Sequence, residues 1–189
     1  MLHIKQDNIL EIEADALVLT FDGENAASHR GADFVTGNLA SAFRDRWPEA
    51  WPLIEEAVHP DRGLVPCGDI VSLELPEGSC AFGGVVLAST LRHRGDRSHG
   101  TMTGIVASAV ERAVRAAREN GWKSVASTPM KGGPRLDVKS AFLAMVQGYR
   151  KAAKALAPGV PDLVVCDSRA EGFAVIDAAW KRILKGAGG

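Results

Sequence analysis

The amino-acid sequence predicts an α/β fold with three layers, in which a mixed, mostly parallel β-sheet lies between helices on both faces. Short apolar segments, typical of buried strands, alternate with longer segments in which apolar residues recur every three or four positions, as on one face of a helix. The 189 residues are 46% hydrophobic and 24% charged, which is ordinary for a globular protein. No internal repeat or low-complexity linker divides the sequence, so we expect a single domain over residues 1–189.

The first half of the chain predicts four strands and two helices. A short strand at Met1–Lys5 precedes the apolar segment Ala14–Phe21, which is followed by turn residues and predicts a buried strand. Residues 23–38 are rich in chain-breaking residues and predict a loop. The other elements of this half are a helix that begins after Thr36 and is stopped by Pro48, a short helix at Glu49–Val58, and strands at Asp69–Leu75 and Phe82–Ser89.

The second half predicts three helices that alternate with two strands. A polar loop, Thr90–Gly100, precedes a long helix that is capped by Thr101 or Thr103 and ends at Asn120–Gly121. The apolar residues of this helix form one wide stripe, as expected if it packs on the sheet. The elements that follow are a strand at Lys123–Thr128, a loop at Pro129–Leu136, a helix at Asp137–Leu156, a strand at Leu163–Cys166 and a helix at Glu171–Lys185.

Composition excludes some classes of function. Lysine and arginine number 22 against 23 aspartates and glutamates, for a formal net charge of −1, so the chain lacks the positive charge of a protein that coats nucleic-acid duplexes. The three cysteines are widely spaced and form no pattern with metal-ligand spacing, so we expect neither a metal nor another cofactor. The sequence shows no signal-peptide pattern and no apolar stretch of membrane-spanning length, so we expect a cytoplasmic protein with no membrane partner.

Two glycine-rich loops, residues 22–38 and 129–136, each leave the carboxyl end of a predicted strand and precede a predicted helix. Ligands of open α/β sheets bind at that edge, and backbone N–H groups exposed by glycine bind phosphate oxygens near a helix N-terminus. Two such loops in one sheet predict a ligand with a diphosphate, unless the glycines only permit tight turns. The glycines concerned are Gly31, Gly37, Gly132 and Gly133.

Four segments, taken in order, resemble the macro-domain family. They are DNILEIEADALVLT (7–20), TGNLASAFRDRWPEAW (36–51), LVPCGDIVSLEL (64–75) and SVASTPMKGGPRLDVKSA (124–141). The likeness covers most of the chain and is nearest to the macro domains of the DNA-ADP-ribose glycohydrolase type. It implies the macro-domain fold and recognition of ADP-ribose or a related nucleotide.

The resemblance also implies positions for the ligand. Asn8 would recognise the adenine, and Arg135 would add a charge-assisted hydrogen bond to phosphate, although Arg135 also fits a solvated loop arginine. Residues of both glycine-rich loops would flank the diphosphate and the distal ribose. In the first loop these are Gly31, Thr36, Gly37 and Asn38, and in the second they are Gly132 and Gly133.

The sequence departs from the family pattern on the catalytic side. Two family asparagines that hold the distal ribose correspond to Leu19 and Asp22, and Leu19 has no hydrogen-bonding side chain. A family lysine corresponds to Gly37. Asp22 and Asn25, which lies in the lengthened loop after Asp22, are therefore the candidate catalytic residues, with an exposed turn aspartate as the other interpretation of Asp22.

Three functions stay open at this point. The chain binds ADP-ribose or an ADP-ribosylated protein or nucleic acid without turnover, or it is an ADP-ribosyl glycohydrolase that removes ADP-ribose from such a target, or it is a macro-like interaction module without a ligand. The loop from Arg92 to His99 holds three arginines and two histidines, which would bind a phosphate or a nucleic-acid end. The alternative is a solvent-facing basic turn offset by Asp96.

Overall fold

The computed structural model describes residues 1–26, 35, 37–91, 95–132 and 135–187. The strands are β1 (Leu2–Lys5), β2 (Ala16–Phe21), β3 (Ile70–Glu74), β4 (Gly84–Ser89), β5 (Ser124–Ser127) and β6 (Asp162–Cys166). The helices are α1 (Gly23–Ala26), α2 (Asn38–Arg46), α3 (Trp51–Ala57), α4 (His99–Glu119), α5 (Val138–Leu156) and α6 (Ala170–Ala187). Ile9–Glu11 and Pro60–Arg62 form short 3-10 helices.

The strands form one sheet in the order β1-β6-β5-β2-β4-β3. Strands β1, β6, β5, β2 and β4 run parallel to one another, and β3 pairs antiparallel with β4 at the edge. The mixed, mostly parallel sheet expected from the sequence is confirmed.

Helices cover both faces of this sheet. In β2, Ala16 and Val18 face the side that packs on α4, α5 and α6, whereas Leu17, Leu19 and Phe21 face the side that packs on α2 and α3. All five side chains are buried. A strand covered on both faces is apolar at nearly every position, as β2 is apart from Thr20, which is why the segment predicted a buried strand so clearly. The three-layer architecture is confirmed.

Helices α5 and α6 run in the direction opposite to the parallel strands. Helix α5 follows the carboxyl end of β5 and α6 follows the carboxyl end of β6, and each packs back along the sheet toward the amino ends of the strands. The C-terminal ends of α5 and α6 therefore lie at the amino edge, where β1 begins. In the described part of the chain, no helix is long and apolar enough to cross a membrane.

Buried polar side chains collect at the opposite edge. Those of the described residues all lie in the last position of a parallel strand or in the position after it. At this edge the loops that follow the parallel strands meet, and it is the edge where ligands of open α/β sheets bind. They are Asp22 after β2, Ser89 and Thr90 at the end of β4, Ser127 at the end of β5, and Asp167 after β6.

Several predicted boundaries are wrong. Helix α4 begins at His99 and not at a threonine, because Ser98 Oγ accepts a hydrogen bond from the Thr101 N–H over 3.3 Å and so caps the helix. Asp96 holds Ser98 in place, since its carboxylate accepts from the Ser98 N–H over 2.9 Å. Helix α3 is shorter than predicted at both ends.

Another error concerns residues 23–38, which were expected to form a loop but begin with the short helix α1. Gly23 starts this helix where a larger residue would not fit, since a Cβ there would lie 2.3 Å from the Val65 carbonyl oxygen. In the sequence this glycine indicates a chain break, but in the structure it permits the close approach of two backbone segments.

Candidate functional site

A cleft of about 600 Å³ opens at the carboxyl edge of the sheet. Its walls come from the ends of β2, β5 and β6, from the start of α2 and from the segment after β1. The lining residues are Asp7–Leu10, Val18–Thr20, Gly37–Ala40, Ala42, Thr128–Pro129, Lys131 and Cys166–Arg169. This volume falls within the range of small-molecule sites.

Helix α2 directs its N-terminus at the cleft. It begins at Asn38 after Gly37, whose φ of 108° is a conformation that favours glycine. Among the described residues no side chain caps this end, and its first-turn N–H groups have no carbonyl partner within the helix. The helix dipole adds partial positive charge at the same place. The arrangement therefore favours an anion such as a phosphate group in this part of the cleft.

Asp167 and Arg169 form a fixed charged pair on the wall beyond β6. The Asp167 carboxylate is only 5% exposed, and it accepts hydrogen bonds from the Arg169 backbone N–H over 3.0 Å, from Nε over 3.1 Å and from Nη2 over 2.9 Å. Burial raises the pKa of Asp167, but the hydrogen bonds and charge of Arg169, with the charge of Lys131, outweigh it and hold the pKa below its ordinary value. The carboxylate is thus ionised and immobilises the exposed guanidinium at the cleft.

The wall near β1 is formed by Asp7 and Asn8, and the Asn8 side chain is already engaged. Its Oδ1 accepts from the Leu10 N–H over 3.2 Å, and its Nδ2 donates to Glu11 over 3.1 Å. Asn8 therefore caps the 3-10 helix that shapes this wall. Asp7 is exposed beside it and accepts from the Asn8 N–H over 2.8 Å.

Comparison with known proteins identifies the fold. No family model matches the sequence, and no curated protein sequence matches it. Among solved structures, a macrodomain from Oceanobacillus iheyensis aligns with a TM-score of 0.75 over 98% of this chain and 92% of that chain, at 11% identity. The chain has the macrodomain fold.

Two further macrodomains agree with this assignment. The macrodomain of Mycobacterium tuberculosis DarG aligns with a TM-score of 0.61 at 20% identity, over 87% of this chain and 97% of that chain. A Trypanosoma brucei macrodomain in complex with ADP aligns with a TM-score of 0.67 at 12% identity, over 95% of this chain and 67% of that chain. At these identities the likeness establishes the macrodomain fold, which the sequence motifs had predicted.

The macrodomain fold brings together only part of the site predicted from sequence. Asn8, Gly37 and Asn38 line the cleft. Arg135 is exposed and does not line it. Gly132 is buried next to Lys131, with a φ of 60°, and a Cβ there would lie 2.5 Å from Met102 Cε. Gly31, Thr36 and Gly133, like Arg92–Arg94 of the basic loop, lie outside the described residues.

On the catalytic side, Asp22 is not an exposed turn residue. It is 3% exposed and does not line the cleft. The chain on either side of it is tied to β4, since the Gly23 N–H donates to Ser89 Oγ over 3.3 Å and the Leu91 N–H donates to the Phe21 carbonyl over 3.3 Å. Asn25 lies within α1.

Among the cleft residues that the sequence did not indicate are Lys131, Asp167 and Arg169, all of them charged. Lys131 lies within the second glycine-rich loop, but the predicted ligand contacts of that loop were Gly132, Gly133 and Arg135. The link from β6 to α6 has neither a glycine-rich stretch nor a run of basic residues. The signal that would have found Asp167 and Arg169 is their position directly after an apolar strand, because every parallel strand ends at the same edge.

Proposed function

We propose that the chain binds ADP-ribose, free or attached to a protein or nucleic acid, in the cleft at the carboxyl edge of the sheet. The observation that carries this proposal is the N-terminus of α2, which no described side chain caps and which opens onto a cleft of about 600 Å³ in a macrodomain fold. A macrodomain of the same fold has been solved in complex with ADP, which supports a ligand that contains a nucleoside diphosphate.

The two ends of the cleft suit the two parts of such a ligand. The diphosphate would lie at the N-terminus of α2, with Lys131 adding a full positive charge from the loop after β5. The apolar residues Ile9, Leu10 and Leu39 offer a surface for a purine or ribose ring. Arg169, held by Asp167, would donate its remaining N–H groups to the ligand.

Recognition without turnover is the form of this function that the side chains favour. Hydrolysis needs a group that orients water at the anomeric carbon, and the described carboxylates lining the cleft are Asp7 and Asp167. Asp167 is held by Arg169, and Asp7 already accepts a hydrogen bond from the Asn8 N–H. Asp22 is buried and does not line the cleft. Burial raises the pKa of the cleft residue Cys166 to about 11, so its thiol is not a nucleophile at neutral pH.

Replacing Asn38 tests the role of the helix N-terminus. Asn38→Pro removes one N–H at the first helical position, where proline fits the helix, and Asn38→Ala keeps that N–H and removes only the side chain. By isothermal titration we expect Asn38→Pro to weaken ADP-ribose binding at least about tenfold, because a hydrogen bond to a charged group contributes about 1.5–3 kcal/mol. Asn38→Ala should bind nearly as wild type. Equal loss in both variants would contradict a backbone contact to phosphate.

Competition by ligand fragments tests the contact to the diphosphate, and a turnover assay tests whether the protein removes ADP-ribose from a target. ADP should compete with ADP-ribose, and adenosine should compete much more weakly because it lacks the diphosphate. Incubation with ADP-ribosylated protein and with ADP-ribosylated DNA should release no ADP-ribose. Release from either substrate that is lost in Asp22→Ala or Asn25→Ala would instead establish a glycohydrolase, and absence of ADP-ribose binding would leave a module without this ligand.

A further inference from the structure

A second concave surface lies far from the cleft, between α5 and α6. This groove, which we call the α5–α6 groove, has a volume of about 380 Å³ and a floor of Leu143, Val146 and Ile183. Its rim consists of Gln147, Arg150, Lys151 and Lys154. Lys154 lies 16 residues after the start of α5 at Val138, which is about 24 Å along the helix, so the groove extends toward the amino edge of the sheet.

The charge at this groove has one sign. Helix α5 carries Lys139, Arg150, Lys151 and Lys154 but no aspartate or glutamate. Within the described chain, none of the three rim cations forms an ion pair, whereas Lys181 on α6 pairs with Asp177 and Arg115 on α4 pairs with Glu111. Surfaces of soluble proteins normally intersperse both signs, and the whole chain has a formal net charge of only −1.

Helix electrostatics do not account for these cations. A basic residue stabilises the helix dipole only when it lies in the last turn. Lys154 meets this condition, since α5 ends at Leu156, but Arg150 and Lys151 lie before that turn. The helix dipole therefore does not explain why Arg150 and Lys151 lie along the groove.

An apolar side chain of the groove is exposed. Leu143 is 40% exposed on α5, and Leu184, which follows Ile183 on α6 but does not line the groove, is 54% exposed. Apolar groups exposed together and bordered by charged side chains are a mark of interaction sites. None of the described residues lining the groove is aromatic, so it offers no stacking surface for nucleic-acid bases.

From these observations we infer that the α5–α6 groove docks an amphipathic acidic helix of a partner protein. The apolar stripe of that helix would cover Leu143, Val146 and Ile183, and its aspartates or glutamates would pair with Arg150, Lys151 and Lys154. This is the helix-in-groove mode of recognition, with charge selecting the partner. The groove shares no residue with the cleft, so both sites bind at the same time.

A defined peptide tests the inference on the full chain. The probe is a labelled helical peptide of about 18 residues, long enough to be helical, with leucines on one stripe and glutamates beside them. Its control has lysines in place of the glutamates. We expect the glutamate peptide alone to bind, with backbone amide NMR shifts confined to α5 and α6 and with affinity that falls as salt rises. ADP-ribose affinity should not change.

Charge reversal supplies the matched comparison. Lys151→Glu combined with Lys154→Glu should weaken peptide binding at least about tenfold, while Lys5→Glu, which changes an exposed cation at the other edge of the sheet, should not. Leu143→Ser should also weaken binding, and since Leu143 is partly exposed this variant should fold. Circular dichroism and thermal unfolding of each variant verify that it is folded.

Several outcomes would overturn the inference. These are equal binding of the two peptides, no binding of either, or NMR shifts that map outside α5 and α6. Displacement of the peptide by a single-stranded oligonucleotide that binds the groove more tightly would assign it to nucleic acid. Sedimentation that shows a dimer dissociated by Leu143→Ser would assign it to a second copy of this chain.

Discussion

Asp167 combines three properties that are rarely found in one carboxylate: it is almost fully buried, it remains ionised, and it borders a cleft. Arg169 makes this possible by donating from its backbone and from two side-chain nitrogens. A buried carboxylate without such partners would be costly. The pair therefore stabilises the wall of the cleft and fixes the direction of the Arg169 guanidinium.

Asp167→Asn should reduce the free energy of unfolding by about 1 kcal/mol at neutral pH, a modest figure because the Arg169 end of the pair is exposed to solvent. The folded-state pKa of Asp167 is lowered, so its stabilising contribution is complete above the unfolded-state pKa, near 4, and is lost as the pH falls through the folded-state value. Urea unfolding of both proteins between pH 3 and pH 7, about the range over which carboxylates titrate, measures the difference. A difference that does not shrink on acidification would contradict this role.

Gly172 shows how tightly the same carboxylate is packed. A Cβ at this position would lie 2.0 Å from Asp167 Oδ2, so Gly172→Ala would push the carboxylate away from Arg169. We expect a loss of about 1–3 kcal/mol in unfolding free energy, and weaker ADP-ribose binding as Arg169 moves. Gly186→Ala, in the same helix and with open space around its Cβ, is the control and should not lower the unfolding free energy. Equal unfolding free energies of Gly172→Ala and Gly186→Ala would show that the Asp167 carboxylate moves aside without loss of stability.

At the scale of elements, α4 and α5 pack closely because a glycine lies between them. A Cβ at Gly148 of α5 would lie 2.2 Å from the Ala107 carbonyl oxygen of α4. Both helices were predicted from their apolar periodicity, but this contact was not, because a glycine inside a helical pattern does not indicate which backbone approaches it.

Gly148→Ala should therefore destabilise the protein by about 1–3 kcal/mol, since two helix backbones must separate. Gly104→Ala, in α4 with open space around its Cβ, should stabilise it by about 0.5–1 kcal/mol, because alanine is the better helix former. Thermal and urea unfolding measure both. Destabilisation by Gly104→Ala, or none by Gly148→Ala, would contradict the packing described.

Predicted element types were more accurate than their ends, for a physical reason. Periodicity identifies a helix from many residues, whereas a helix end depends on one or two hydrogen bonds. At α4 the sequence indicated Thr101 or Thr103 as the cap, whereas the cap is Ser98, whose own N–H is held by Asp96. The buried position of Asp22 was missed likewise, since it results from pairing between β2 and β4, which are far apart in sequence.

For the whole molecule, the sequence predicted the three layers and the macrodomain fold but not the strand order. The order β1-β6-β5-β2-β4-β3 depends on contacts between distant segments. It is this order that places Asn8, Gly37 and Asn38, which were predicted as ligand contacts, beside Asp167 and Arg169, which were not. Most of the cleft lining therefore required the structure.

ADP-ribose should stabilise the whole chain against heat. A ligand that binds only the folded state adds RT ln(1 + [L]/Kd), about 2.7 kcal/mol at a concentration of about 100 times Kd, so the Tm should rise by several degrees. Asn38→Pro should reduce the rise, while Lys151→Glu, in the distant groove, should leave it intact. No rise at millimolar ADP-ribose would contradict nucleotide binding in the cleft.

The direction in which α5 and α6 run has a practical consequence. Strand β1 begins and α6 ends at the amino edge of the sheet, and the cleft opens at the carboxyl edge. A tag, a fluorescent protein or a resin linker joined at either end of this chain would thus be held away from the cleft. Immobilised in this way, the protein should present the cleft outward and serve as a capture reagent for ADP-ribosylated molecules.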